Sequence, residues 1–187
     1  FASACMHAER LVGTMGGGMD QAISFLAREN HGSRIEFDPL TTTPCELPMN
    51  GCFVVANSLV ESNKYITAGN CFNMRVVECI LAARLIAKTL GIPSWASMRT
   101  LKGVQEALNH SKEEMISIAS RVLDRSAYTQ EDLMRLFECD SLESFRALHL
   151  VPEVCSQSSF CLQQRAIHVY SEALRVDQFF NGGSLEV

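Results

Sequence analysis

Hydrophobic and polar positions follow two different patterns along the chain, strand-like in its front part and helical in its rear part. Ile35 and Phe37 alternate with Glu36 and Asp38, a period of two that is typical of a β-strand. Residues 52–56 form a continuous apolar and β-branched run, which predicts a buried strand. The front part is therefore predicted to be rich in strands.

The rear part has the spacing of amphipathic helices. Asn73 is the predicted N-cap of a long helix, and Gly91 followed by Pro93 predicts its end. Further helices are predicted over 101–108 and over 111–123, the latter with a capping box of Ser111 and Glu114. Two more are predicted to begin at Thr129, with Asp132 three residues later, and at Ser141. A second long helix is predicted over 157–180, with a buried stripe of Leu162, Ala166, Val169, Ala173 and Val176. A strand-rich front before a helical rear indicates an α+β fold.

The first forty residues contain the most unusual local sequence. A helix is predicted over residues 3–12, and Gly16, Gly17 and Gly18 follow it, with Asp20 close behind. The short apolar run over 22–27 leaves strand and helix both open. Consecutive glycines end a helix and allow close approach of the backbone to another group.

Two interpretations of this glycine segment stay open on the residues alone. The segment lacks the Gly-Lys-Ser/Thr of a Walker loop and the spacing of a dinucleotide fingerprint, so it could be a plain turn, with Asp20 capping the next element. Alternatively, Asp20 is a general base for a hydroxyl group held beside the glycines, an arrangement that suits phosphoryl transfer.

Composition narrows the class of protein. The 187 residues carry a formal net charge of −5 with scattered Lys and Arg, which argues against a nucleic-acid partner. A run of 18 or more apolar residues is absent, so we expect a soluble, cytoplasmic protein with no membrane partner. The eight cysteines lack paired metal-ligand spacing, so no metal site is predicted and reduced thiols are expected.

Several segments together resemble the galactokinase family of the GHMP small-molecule kinases. They are Gly16-Gly17-Gly18-Met19-Asp20-Gln21 preceded by Glu9-Arg10-Leu11-Val12-Gly13-Thr14, the stretches 53–58 and 60–64, Phe72-Asn73-Met74-Arg75-Val76-Val77-Glu78-Cys79, and 164–176. They span nearly the whole chain in one order. The triglycine form looks most like the N-acetylgalactosamine kinase branch of the family.

The resemblance implies an architecture and an activity. Residues 1–62 would be the end of an N-terminal domain of the ribosomal-S5-like α/β type, and residues 63–187 the helical start of a C-terminal domain. The activity would be an ATP-dependent sugar 1-kinase that phosphorylates the anomeric hydroxyl of galactose or N-acetylgalactosamine with ATP and Mg²⁺. The full-length protein is expected to be a monomer.

The resemblance also implies site residues. Asp20 matches the catalytic base, and Gly17 and Gly18 lie in the loop that contacts the sugar. Phe72 stands where plain galactokinases favour a sugar-contacting Tyr, a departure that favours the N-acetylhexosamine branch. Asn63 and Lys64 match nucleotide-binding positions, although an isolated Lys64 would more simply be a solvated loop charge.

Three alternatives accompany this hypothesis. A galactokinase-like sensor that binds sugar and ATP without turnover would retain the same scaffold. Another GHMP kinase, such as a mevalonate-type enzyme, fits the Met19-Asp20-Gln21 segment less well. The chain begins with Phe1 inside a predicted helix and lacks the family's phosphate loop and other Gly-rich motifs, so we expect a central fragment that is inactive by itself.

Overall fold

The computed structural model describes residues 1–11, 16–37, 39–47, 52, 54–60 and 72–182, and it divides the chain into two compact units, 1–68 and 69–187. Helices and small antiparallel sheets occur together, as an α+β fold requires. The described helices and strands are α1 (Ala2–Arg10), α2 (Met19–Leu26), β1 (His31–Phe37), β2 (Leu40–Glu46), α3 (Asn73–Thr89), α4 (Leu101–Leu108), α5 (Lys112–Val122), β3 (Tyr128–Thr129), α6 (Gln130–Leu136), α7 (Leu142–His149), β4 (Ser159–Phe160) and α8 (Leu162–Phe180), with 3-10 turns at Trp95–Ser97 and Pro152–Val154.

Among its described residues, the first unit contains two helices and a hairpin. The apolar run that left two possibilities open is helical and forms most of α2. Strands β1 and β2 pair antiparallel, with His31 opposite Glu46 and Phe37 opposite Leu40, so the predicted alternating strand is confirmed. The predicted buried strand over 52–56 is wrong for the residues described there. They form no strand, and Val54 and Val55 are 88% and 94% exposed.

The second unit is a helical cluster around α3. Val77, Leu81 and Ile86 of this helix are at most 1% exposed, and side chains from α4 to α8 complete the core around them. Gly91 has φ +74° just after the helix, which confirms the predicted stop. The predicted N-cap is wrong by one residue: Phe72 occupies that position, and Asn73 is a buried residue of the first turn.

Local start signals in the rear part are confirmed. Capping boxes are present at Ser111 with Glu114 and at Thr129 with Asp132, and the Ser141 hydroxyl accepts the backbone N–H of Ser144. The last long helix begins at residue 162 rather than 157, because Ser159 and Phe160 pair with Tyr128 and Thr129 as a short sheet.

The buried stripe of α8 also differs from the prediction at its end. Leu162 and Ala166 are buried as expected, whereas Val176 is 48% exposed. Tyr170 is the third buried side chain, and its hydroxyl donates to the carbonyl of Leu101 at 2.8 Å. The polar end of this aromatic ring is therefore satisfied within the core.

The cysteines in the described residues are free thiols. Cys79 lies partly buried on α3, and burial raises the pKa of its thiol to about 11. A thiol with so high a pKa is protonated at neutral pH and is a poor nucleophile.

His149 lies at the end of α7 within an aromatic stack. Its ring is 4.6 Å from that of Phe137 and 5.3 Å from that of Phe145, and Nη1 of Arg84 lies 2.9 Å from its Nδ1. Burial, followed by the charges of Arg84 and Lys88, lowers the pKa of His149 from 6.5 to about 4. The imidazole is therefore neutral at pH 7 and accepts the hydrogen bond from Arg84.

This neutral histidine predicts a loss of stability in mild acid. Because the pKa in the folded chain lies below the unfolded value of 6.5, the unfolded chain gains the proton first. The stabilisation is complete above pH 6.5 and is lost as the pH falls towards 4. We expect the free energy of unfolding, from urea denaturation at pH 7, 6 and 5, to fall more in the native chain than in His149→Asn, which retains an acceptor for Arg84. Parallel pH profiles of the two proteins would contradict the assignment.

Candidate functional site

The candidate site centres on the start of α2, where the glycine segment meets a carboxylate. Gly18 is the N-cap of this helix and has φ +89°, a left-handed conformation that glycine adopts at no steric cost. Its carbonyl accepts the backbone N–H of Ala22 at 2.9 Å, which closes the first turn. The chain therefore changes from loop to helix at Gly18, and Asp20 lies in that first turn.

The glycines differ in what their lack of a side chain permits. A Cβ at Gly18 would lie 2.5 Å from Sδ of Met6, a residue of α1. A Cβ at Gly16 would lie 2.8 Å from Oε2 of Glu9, whereas one at Gly17 would meet no atom within 4 Å. The left-handed backbone thus favours glycine at position 18, where an added side chain would also displace Met6, and packing leaves position 17 open.

Alanine substitutions test this difference. Gly18→Ala is expected to destabilise the first unit by about 1–2 kcal/mol from the left-handed conformation alone, with the displacement of Met6 in addition. Gly17→Ala is the matched control and should change stability by less than about 0.5 kcal/mol. Urea denaturation followed by far-UV circular dichroism measures both. Equal losses of stability in the two variants would show that Gly18 is not specifically constrained.

Asp20 is exposed on the first turn of α2. Its backbone carbonyl accepts the hydroxyl of Ser24 at 2.7 Å, within the helix. The alternative in which Asp20 caps this helix is wrong, because the cap residue is Gly18. A carboxylate near a helix N-terminus is electrostatically favourable, and an exposed one is accessible to a substrate hydroxyl.

A polar contact between α1 and α2 fixes the surroundings of Asp20. Nε2 of Gln21 donates to Oε2 of Glu9 at 2.8 Å. These residues are 12 positions apart, and nothing in their spacing predicts that they meet. The hydrogen bond ties the residue next to Asp20 to the preceding helix, so it limits rotation of the helix that carries the carboxylate.

The remaining predicted site residues lie elsewhere in the chain. Phe72 precedes α3 in the second unit and is half-buried, with helical dihedral angles of φ −74° and ψ −58°. Asn63 and Lys64 lie outside the described residues. The structure therefore places Gly17, Gly18 and Asp20 together within one short segment, and the assignments of Phe72, Asn63 and Lys64 stay predictions.

Two clefts of the second unit are formed by other residues. One is an open depression of about 600 Å³ beside the contact between Lys112 and Asp177, and the other, of about 270 Å³, lies beside Trp95 and His149. Within the described ranges, no group of three or more His, Cys, Asp or Glu side chains could hold a metal ion. In the same part of the chain, every helix is too short or too polar to cross a bilayer.

Comparison with known proteins gives a consistent set of relatives. The chain is 39% identical to a galactokinase of Dictyostelium discoideum over 96% of its length, 32% identical to a galactokinase of Saccharomyces cerevisiae over 90%, and 28% identical to one of Schizosaccharomyces pombe over 91%. No protein-family model matches it. The chain spans 36% of the first relative and 38% of each of the other two, a little over a third of their length.

Proposed function

We propose, from the premise that this chain belongs to the galactokinase family, that its protein is a sugar 1-kinase acting on galactose or N-acetylgalactosamine. The similarity to curated galactokinases along nine-tenths or more of the chain carries this proposal. The exposed carboxylate of Asp20, directly after a glycine turn, supports it with a chemically suitable group.

Asp20 is the proposed base. The anomeric hydroxyl of the sugar would donate a hydrogen bond to the Asp20 carboxylate, which accepts the proton as the oxygen attacks the γ-phosphorus of ATP. A new O–P bond forms to the sugar, the bond to the β-phosphate oxygen breaks, and ADP leaves. Phosphoryl transfer depends mainly on positioning and charge stabilisation, so a carboxylate carried on a helix suits this side of the reaction.

The other contacts follow from the family resemblance. The segment with Gly17 and Gly18 would line the sugar, Phe72 would contact it from the start of α3, and Asn63 and Lys64 would bind the nucleotide. The magnesium complex of ATP is the proposed phosphoryl donor, since Mg²⁺ is usually held through nucleotide phosphates with few protein ligands.

The two units receive a proposed identity on the same basis. Residues 1–62 would be the end of the N-terminal domain of a GHMP kinase, and residues 63–187 the helical start of its C-terminal domain. Because the chain corresponds to a little over a third of its relatives, we propose that catalysis requires the remainder of the protein.

The experiment is an assay of the full-length protein with the magnesium complex of ATP and four sugars. Galactose and N-acetylgalactosamine should each be tested for ADP release and for sugar 1-phosphate by ³¹P NMR. Glucose and N-acetylglucosamine are matched controls, since each differs from its partner only at C4. Turnover of a galacto-configured sugar is expected. Binding of sugar and ATP without any phosphorylated product would indicate a ligand sensor instead of a kinase. The similarity to curated galactokinases does not favour that alternative.

A further inference from the structure

Glu78 is a fully buried carboxylate in the middle of α3. Its exposed fraction is 0%, yet both oxygens have partners: Oε1 accepts the backbone N–H of Cys161 at 2.8 Å, and Oε2 accepts Nη1 of Arg75 at 2.9 Å and Nε of Arg165 at 3.3 Å. A buried carboxylate is tolerated only when it is paired and hydrogen-bonded in this way. Replacing it with an apolar residue of similar size would often be no less stable, so stability alone gives weak reason for its presence.

Its two arginine partners lie in different surroundings. The side chain of Arg165 is 18% exposed and comes from the first turn of α8, so its ion pair joins two helices. The side chain of Arg75 is 48% exposed and lies on the same helix as Glu78, three residues earlier. The Arg75 pair therefore adds no connection between elements, and Arg75 reaches the buried carboxylate from the solvent side.

The position of Arg75 is electrostatically unfavourable in itself. It lies in the first turn of α3, where the helix dipole disfavours a cation, and that turn contains no acidic residue. Phe72, Arg75 and Glu78 are spaced by three residues and thus share one face of the helix. The cap residue Phe72 makes no side-chain capping hydrogen bond, so the start of the helix lacks this common source of stabilisation.

We infer that Glu78 is a positioning residue for the sugar site, because the buried carboxylate orients the Arg75 side chain on the face of α3 that it shares with Phe72. The inference rests on the proposed function, in which Phe72 contacts the sugar. Glu78 would then have two separable roles. Its contact with Arg165 and the N–H of Cys161 joins α3 to α8, and its contact with Arg75 orients that side chain on the face shared with Phe72.

Two matched arginine variants of the full-length protein separate these roles. Arg75→Met is expected to raise KM for the sugar about tenfold with kcat changed less than about twofold, because ground-state and transition-state binding are lost equally. Its Tm should fall less than that of Arg165→Met, because the more buried Arg165 and the N–H of Cys161 still pair both oxygens of Glu78. Arg165→Met should lower Tm by roughly 4 °C or more, since it removes a partner of a buried charge, with an unchanged KM. Arg75→Lys should restore part of the sugar affinity.

Lys112→Met is a further control that removes a cation between α5 and α8 without touching Glu78, and its KM should be native. If KM stayed native in Arg75→Met, or rose equally in both arginine variants, Glu78 would have only a structural role. Sugar affinity is measured in parallel by calorimetry. If the native protein binds sugar without phosphorylating it, the proposed function fails and the affinities of the variants still decide this inference. If it binds no sugar at all, both fail.

Discussion

Replacing Asp20 with Asn in the full-length protein is expected to lower kcat for sugar phosphorylation by roughly 100-fold or more, the usual contribution of a positioned general base. The amide has nearly the same shape as the carboxylate but cannot accept the proton of the anomeric hydroxyl. Asp20 is exposed on the first turn of α2, so the substitution should leave folding nearly unchanged. Steady-state rates of sugar 1-phosphate formation measure the effect.

The matched control for this variant is Glu29→Gln. Glu29 is an exposed carboxylate in the turn between α2 and β1, and its loss changes the charge of the first unit by the same amount. We expect native kinetics for this control and native nucleotide affinity for Asp20→Asn. If kcat for Asp20→Asn stayed within a few-fold of the native value, Asp20 would not be the base. Its role would then be that of a favourable charge at a helix start.

Replacing Phe145 with Ala is expected to destabilise the second unit by about 3–5 kcal/mol, a large fraction of the stability of an ordinary domain. The Phe145 side chain is 0% exposed and lies against the rings of Phe137 and His149, with ring centroids 6.3 Å and 5.3 Å away. Its removal would leave a cavity that the flanking helices can fill only in part. Urea denaturation monitored by circular dichroism gives the change in the free energy of unfolding.

Phe179→Ala provides the comparison, since Phe179 lies near the end of α8 and is 41% exposed. The cost there should be lower, about 1–2 kcal/mol, because less apolar area returns to water and no enclosed cavity is left. If the two variants lost similar amounts of stability, the ring stack around Phe145 would not be the packed centre that the structure describes.

Most helices of the second unit could be predicted because their signals are local. Ser111, Thr129 and Ser141 start helices by accepting a backbone N–H three residues later, and Gly91 ends α3 with a positive φ. Each signal involves groups within one helical turn. Such interactions depend little on the remainder of the fold, so the sequence pattern is sufficient to identify them.

The wrong predictions share a different property. The apolar run that includes Val54 and Val55 was expected to be a strand, but strand formation requires a partner elsewhere in the chain. The start of α8 was placed too early because the pairing of Phe160 with Tyr128 joins residues 32 positions apart. Hydrophobic character indicates that burial is favourable, but it does not identify the surface that provides it.

By itself, the sequence determined the helical start and stop signals, the glycine turn before Asp20 and the resemblance to galactokinases, because all of these reside in short contiguous segments. Only the tertiary structure decided that Asp20 is exposed, that Gly18 lies against the Met6 side chain, and that Glu78 is buried and bound by two arginines. The physical reason is distance along the chain: Arg165 and Glu78 are 87 residues apart. The two residues meet only when α3 packs against α8. That packing removes the Glu78 carboxylate from water, and a buried charge must then be paired.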